Sequence, residues 1–139
     1  MTQLPTILND RDLEELFPNP YQTTNYDERQ ERKRKRNEGT KVRVIGQYAQ
    51  VDVRQRQDPP PLYQGHAVVD LEDGAAIFLY PGWHSNAIRP PSEIARYENQ
   101  RVVVVGTVVP EMPRDPYHPY AASLMGPCLV SIDSIELAR

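Results

Sequence analysis

Cysteine is nearly missing from this chain of 139 residues: Cys128 stands alone. One thiol excludes an internal disulfide, and a reducing, cytoplasmic setting is the expectation. No apolar run approaches the roughly 20 residues that a membrane helix needs. Residues 1–9 lack the basic start and apolar centre of a secretory leader, so a soluble protein is expected. A basic surplus is missing too. The chain has 16 Lys and Arg against 19 Asp and Glu, for a net charge of −3. Residues 41–139 carry nine basic and eleven acidic side chains, which argues against a dedicated polyanion-binding domain.

The chemistry of catalysis is also thin. His66, His84, His118 and Cys128 are the candidate metal ligands, and no two of them have paired ligand spacing. Ser123 and Ser131 lack a nucleophile signature, and no Gly-rich phosphate loop occurs. Asp52, Asp70 and Asp73 with Arg54 and Arg89 offer the residue types of a metal-dependent nuclease, but Asp73 reads as turn chemistry and Asp70 as an ordinary outward residue. No enzyme, cofactor or metal is expected.

What is present is proline, 14 residues of it, too many for a helical bundle because proline breaks helix interiors. Between the prolines lie β-patterned runs. Lys41 to Gly46 opens with Val42 and Val44 on one face and Ile45 on the other, and alternation continues from Tyr48 to Arg54. Asp58 to Pro61 is an extended loop. His66 to Leu71, a Glu72-Asp73-Gly74 turn and Ala75 to Tyr80 form a hairpin, the glycine supplying the positive-φ position. One hairpin face is aliphatic (Ala67, Val69, Leu71, Ile77, Leu79). The other, with His66, Val68, Asp70, Phe78 and Tyr80, is expected to stay partly open. Ser92 is a candidate cap for a short helix over Pro91 to Tyr97 that buries Ile94 and Tyr97. Arg101 to Val109 is apolar on both faces and reads as a central strand. A long Pro/Tyr-rich loop, 110–127, precedes a last strand from Cys128 that extends through Ile135 and Leu137. Gly46 and Gly106, inside strands, suggest bends or bulges.

Residues 1–40 read as an arm. Asn9 or Asp10 caps a short helix to Phe17, with Leu13, Leu16 and Phe17 on one face as a candidate docking stripe for a partner. Residues 22–39 hold almost no apolar side chain and are expected to be a solvated linker, helical at most in part. Within it Arg29, Arg32, Lys33, Arg34, Lys35 and Arg36 make six cations in eight residues, a candidate phosphate-binding run.

Strand, hairpin, helix, strand, strand is an order that resembles the OB-fold, an all-β, five-stranded Greek-key barrel with a short helix between strands three and four. The resemblance covers about residues 41–137 and makes 41–139 the barrel and 1–40 the arm. It implies a ligand surface on strands two and three flanked by two loops. On this chain that surface holds Tyr63, His66, Phe78 and Tyr80, with Arg54 and Arg56 from one loop and Arg114, Tyr117, His118 and Tyr120 from the other. Aromatic rings with arginines suit a protein interface and equally suit single-stranded nucleic acid. The leading expectation is an adaptor that engages a protein partner through the N-terminal segment and the Tyr/Pro-rich loops. The alternative is single-stranded nucleic-acid binding by the hairpin face and the basic run.

Overall fold

The structure, a computed structural model, describes residues 3–51, 66–79, 89–111 and 126–138. Within them the chain forms β1 (Thr6–Ile7), α1 (Asp10–Leu16), a 3₁₀ turn (Pro20–Gln22), α2 (Tyr26–Glu38), β2 (Thr40–Val51), β3 (His66–Asp70), β4 (Ala76–Leu79), α3 (Pro91–Tyr97), β5 (Arg101–Val109) and β6 (Cys128–Leu137). Among the described residues the protein is mostly β, with one six-stranded sheet and three α-helices.

The length of β2 organises the sheet. Its first eight residues lie antiparallel on β5, from Thr40↔Val108 to Gln47↔Arg101. Its last five lie antiparallel on β3, from Gln47↔Asp70 to Val51↔His66. β3 pairs with β4, β4 joins β6 in parallel at Phe78↔Cys128 and Leu79↔Leu129, and β6 returns antiparallel onto β5. Hydrogen bonding therefore runs round a ring, β2-β3-β4-β6-β5 and back to β2. Five strands were expected, and the sixth is β1. It pairs in parallel with β2 at Thr6↔Arg43 and Ile7↔Val44. A two-residue strand leaves no alternation for a sequence reading to find.

The inward set follows the two-residue period. Val42, Val44 and Tyr48 of β2, Val69 of β3, Ile77 and Leu79 of β4, Val102, Val104 and Val108 of β5 and Leu129 of β6 form one buried cluster. Ile94 and Tyr97 of α3 join it, as do Ile7, Leu13 and Phe17. The N-terminal segment thus packs into the same core as the strands. Fully burying side chains of this size is worth about 1.5–3 kcal/mol each.

Both in-strand glycines have a steric cause. A Cβ at Gly106 would collide with the Ser131 carbonyl, and the β5–β6 register shifts between Val105 and Gly106, leaving Asp133 as the extra residue of a bulge. β2 runs unbroken through Gly46, so no bulge forms there. The glycine admits β3, because a Cβ would lie 2.7 Å from Val69 Cγ1 and closer still to the Asp70 carbonyl.

Candidate binding surfaces

The N-terminal segment is fastened at both ends. Asn9 caps α1 by accepting from the Asp12 N–H at 3.1 Å, and the Leu8 N–H donates to Asp12 Oδ2 at 2.8 Å. The Arg43 N–H donates to the Pro5 carbonyl at 2.8 Å, and the Glu72 N–H to the Leu8 carbonyl at 3.2 Å. Asp73, at the β3–β4 turn, accepts from the Asp10 N–H at 2.9 Å and the Ala75 N–H at 3.1 Å. Those donors hold its carboxyl below the usual carboxylate range, the Asp10 N–H first. Asp73 is turn chemistry and also a tie for the segment. Leu13 and Phe17, expected to dock on a partner, are buried in the molecule's own core, and Leu16 packs partly against it. The sequence spacing was right about the shared face, and that face is already covered.

Residues 26–38 form a full helix where a solvated linker was expected. Asn25 caps it by accepting from the Glu28 N–H at 2.9 Å, and Gly39 ends it with φ +80°. Ion pairs one turn apart support it: Arg32–Glu28 at 2.7 Å, Arg34–Glu38 at 2.6 Å and Arg34–Glu31. The Thr23 hydroxyl first, then Arg32, lowers the Glu28 pKa. No residue of α2 is buried, so its attachment is polar. Arg29 Nη2 donates to the Thr23 carbonyl at 3.1 Å, Arg32 Nη1 to the Asn19 carbonyl at 2.9 Å and Arg36 Nη1 to the Phe17 carbonyl at 3.2 Å. Three arginines of the basic run therefore serve carbonyls of the irregular stretch 17–23, which proline keeps from bonding to itself in a helix. Lys33 Nζ sits 5.3 Å from the Tyr21 ring centre. The outer side is different in sign: Asp27, Glu31 and Glu38 are exposed there, with Arg34 between the last two. The run that looks basic in one dimension is folded so that its guanidinium groups are largely engaged. Beside it, Tyr21 and Tyr26 stand 73% and 70% exposed, the largest exposures of any big apolar side chain among the described residues.

The hairpin face expected to stay partly open buries His66 and Val68 and leaves Asp70 and Phe78 half-buried. His66 is 5% exposed and Val68 is buried. The His66 and Phe78 rings meet edge to face at 6.3 Å, and Phe78 and Val130 pack against Val109 and Cys128. Burial pushes the Cys128 thiol up to about 12. Arg54, Arg56, Tyr63, Tyr80, Arg114, Tyr117, His118 and Tyr120 lie outside the described residues.

A third surface went unread in the sequence. Tyr48 points inward from β2, and its hydroxyl donates to Glu93 Oε2 of α3 at 2.8 Å. Arg89 forks onto the same carboxylate, Nε to Oε2 at 2.8 Å and Nη2 to Oε1 at 2.6 Å. Burial, then the Glu93 carboxylate, pushes the Tyr48 pKa up. The Tyr97 hydroxyl donates to the Ile135 carbonyl at 2.9 Å. These bonds seat α3 against the ring with no side-chain cap, since Pro90 holds the N-cap position and Ser92, expected to cap, lies inside the first turn. Arg89 and Glu93 at i, i+4 were the available signal. A groove of about 460 Å³ opens between α3 and β6.

Among the described residues no group of three or more His, Cys, Asp or Glu could hold a metal ion, and no helix is long and apolar enough to cross a membrane. Comparison with protein-family models, with curated proteins and with solved structures finds no match to this chain.

Proposed function

We propose that this chain is a non-enzymatic binding module, built on an OB-type five-stranded barrel, that engages a protein partner through its N-terminal segment and its Tyr/Pro-rich loops. The ring β2-β3-β4-β6-β5 with α3 between β4 and β5 supports the barrel reading, since it is the strand order and helix position that the OB-fold has. The observation that carries the binding reading is the pair Tyr21 and Tyr26, each more than two-thirds exposed on one segment. Tyrosine is a favoured interface residue because it offers a large amphipathic ring with little rotamer entropy to lose. The Arg29, Arg32 and Arg36 bonds to carbonyls count against phosphate binding by the same segment, as each would have to be exchanged for a phosphate contact.

The test is affinity capture by the full chain and by a Tyr21→Ala/Tyr26→Ala variant, with and without nuclease, at low and moderate salt. The expected result is a stoichiometric protein that resists nuclease and moderate salt and is lost about tenfold or more with the double variant. A salt-labile, nuclease-sensitive ladder of fragments would reject the proposal in favour of single-stranded nucleic acid.

A further inference from the structure

Among the described residues, strand β6 is paired along its whole length on one side and for two residues on the other. On β5 it is bonded from Cys128 to Leu137. On its other side, among the described residues, β4 reaches only Cys128 and Leu129. The direction of its backbone groups follows from two bonds. The Ala138 N–H donates to the Arg101 carbonyl at 2.9 Å, so Ala138 and Glu136 face β5. Ile135 and Leu137 alternate with them and face away, and the Tyr97 hydroxyl reaches the Ile135 carbonyl from that side. The Ile135 N–H and both Leu137 backbone groups therefore point away from β5 to a side that β4 does not reach among the described residues, and the Leu137 side chain is 49% exposed. The groove under α3 runs beside this edge, lined by Ile132, Ile135, Tyr97 and Arg96 among others.

We infer that the β6 edge is a strand-addition site, taking an extended segment of a protein partner that carries an acidic side chain into the α3 groove. The inference rests on the protein-partner reading above and gives it a second surface. Strand addition uses main-chain bonds for affinity and alternate side chains for specificity. The charges set the specificity. Within the groove lining, Arg89 is forked onto Glu93 and Asp133 is held by Lys41 at 2.7 Å. Arg96, exposed and stacked 5.2 Å from the Tyr97 ring centre, is left without a carboxylate among the described residues. A carboxylate on the incoming strand supplies it. A second copy is the poorer occupant. Two β6 edges laid antiparallel would bring two exposed Glu136 side chains into one ribbon, and charges of one sign on an edge oppose self-pairing.

The test uses a displayed random-peptide library selected on the full chain, with the selected peptides then titrated against the wild type, Leu137→Pro and Arg96→Glu. Leu137 presents its N–H outward, so proline there removes an edge donor without removing a β5 bond. The expected result is enrichment of β-prone peptides with an acidic residue, at least tenfold weaker binding to Leu137→Pro, reversal of the charge preference by Arg96→Glu, and slowed amide exchange at Ile135 and Leu137 on binding. Arg96→Glu changes an exposed side chain and serves alone should the proline variant fail to fold. Selected peptides that bind both variants like the wild type and are lost with Tyr21→Ala/Tyr26→Ala would overturn the edge site and leave the protein-partner reading standing. Failure to select any peptide would overturn the edge site as well. So would a dimer in light scattering that Leu137→Pro dissociates, which would assign the edge to a second copy.

Discussion

The two halves of the N-terminal segment are fastened by opposite means. β1 and α1 put Ile7, Leu13 and Phe17 into the shared core. Helix α2, thirteen residues long, has no fully buried residue and hangs on arginine bonds to carbonyls and on ion pairs within itself. The first mode gains from water exclusion and is not weakened by charge screening. The second exchanges hydration for hydrogen bonds at a net of about 1 kcal/mol each, so it orders the chain without much stability. The contrast separates what makes the segment part of the fold from what decides which groups it shows to a partner.

The sharpest break of the comparison lies in the strand ring itself. Gly106→Val drives a side chain into the Ser131 carbonyl and should cost about 3 kcal/mol or more, read as loss of the cooperative transition in urea. A near-native midpoint would remove the close β5–β6 approach from the account. Next, Phe17→Ala should cost about 3 kcal/mol, comparable to Leu129→Ala in the ring, because both leave a void in one cluster. Both variants should move a single unfolding transition. A Phe17→Ala effect below about 0.5 kcal/mol would return residues 3–17 to the status of an arm.

Smaller effects sharpen the polar half. Tyr48→Phe removes one donor from Glu93 while the Arg89 fork remains, so about 1 kcal/mol is expected in thermal melts. Arg36→Gln should lower α2 protection in amide exchange and cost about 1 kcal/mol or less globally. Arg34→Gln, whose partners Glu31 and Glu38 are on the exposed side, should leave the midpoint unmoved. Cys128 gives the pH test. Its thiol is raised from 9.0 to about 12, so the unfolded chain loses the proton first. Its contribution to stability is whole below about pH 9 and falls away as pH rises toward 12. Alkylation of native protein near pH 8 should be slow, and fast alkylation would show that the strand start is open.

How much of this was legible turns on the range of the interaction. The strands were readable because a two-residue period and central burial are written locally, as in the alternation of β5 and the Asp73-Gly74 turn. The face shared by Leu13 and Phe17 was readable for the same reason, but its occupant was not, since only the fold brings it into one cluster with the strands. The basic run misled for a physical reason. Charge density is a one-dimensional quantity, and the carbonyls that take up Arg29, Arg32 and Arg36 lie six to nineteen residues away. Tyr21 and Tyr26 stood out in a polar stretch and could have been flagged by that contrast alone. The β6 edge could not, because an unpaired side is a property of register.

Native-state amide exchange probes the N-terminal fastening most directly. The Arg43 and Glu72 amides, bonded to Pro5 and Leu8, should open with the same free energy as the amides between β2 and β5. Exchange of those two amides through a much cheaper local opening, with the β2–β5 amides still fully protected, would mean that the segment rests on the ring without belonging to it.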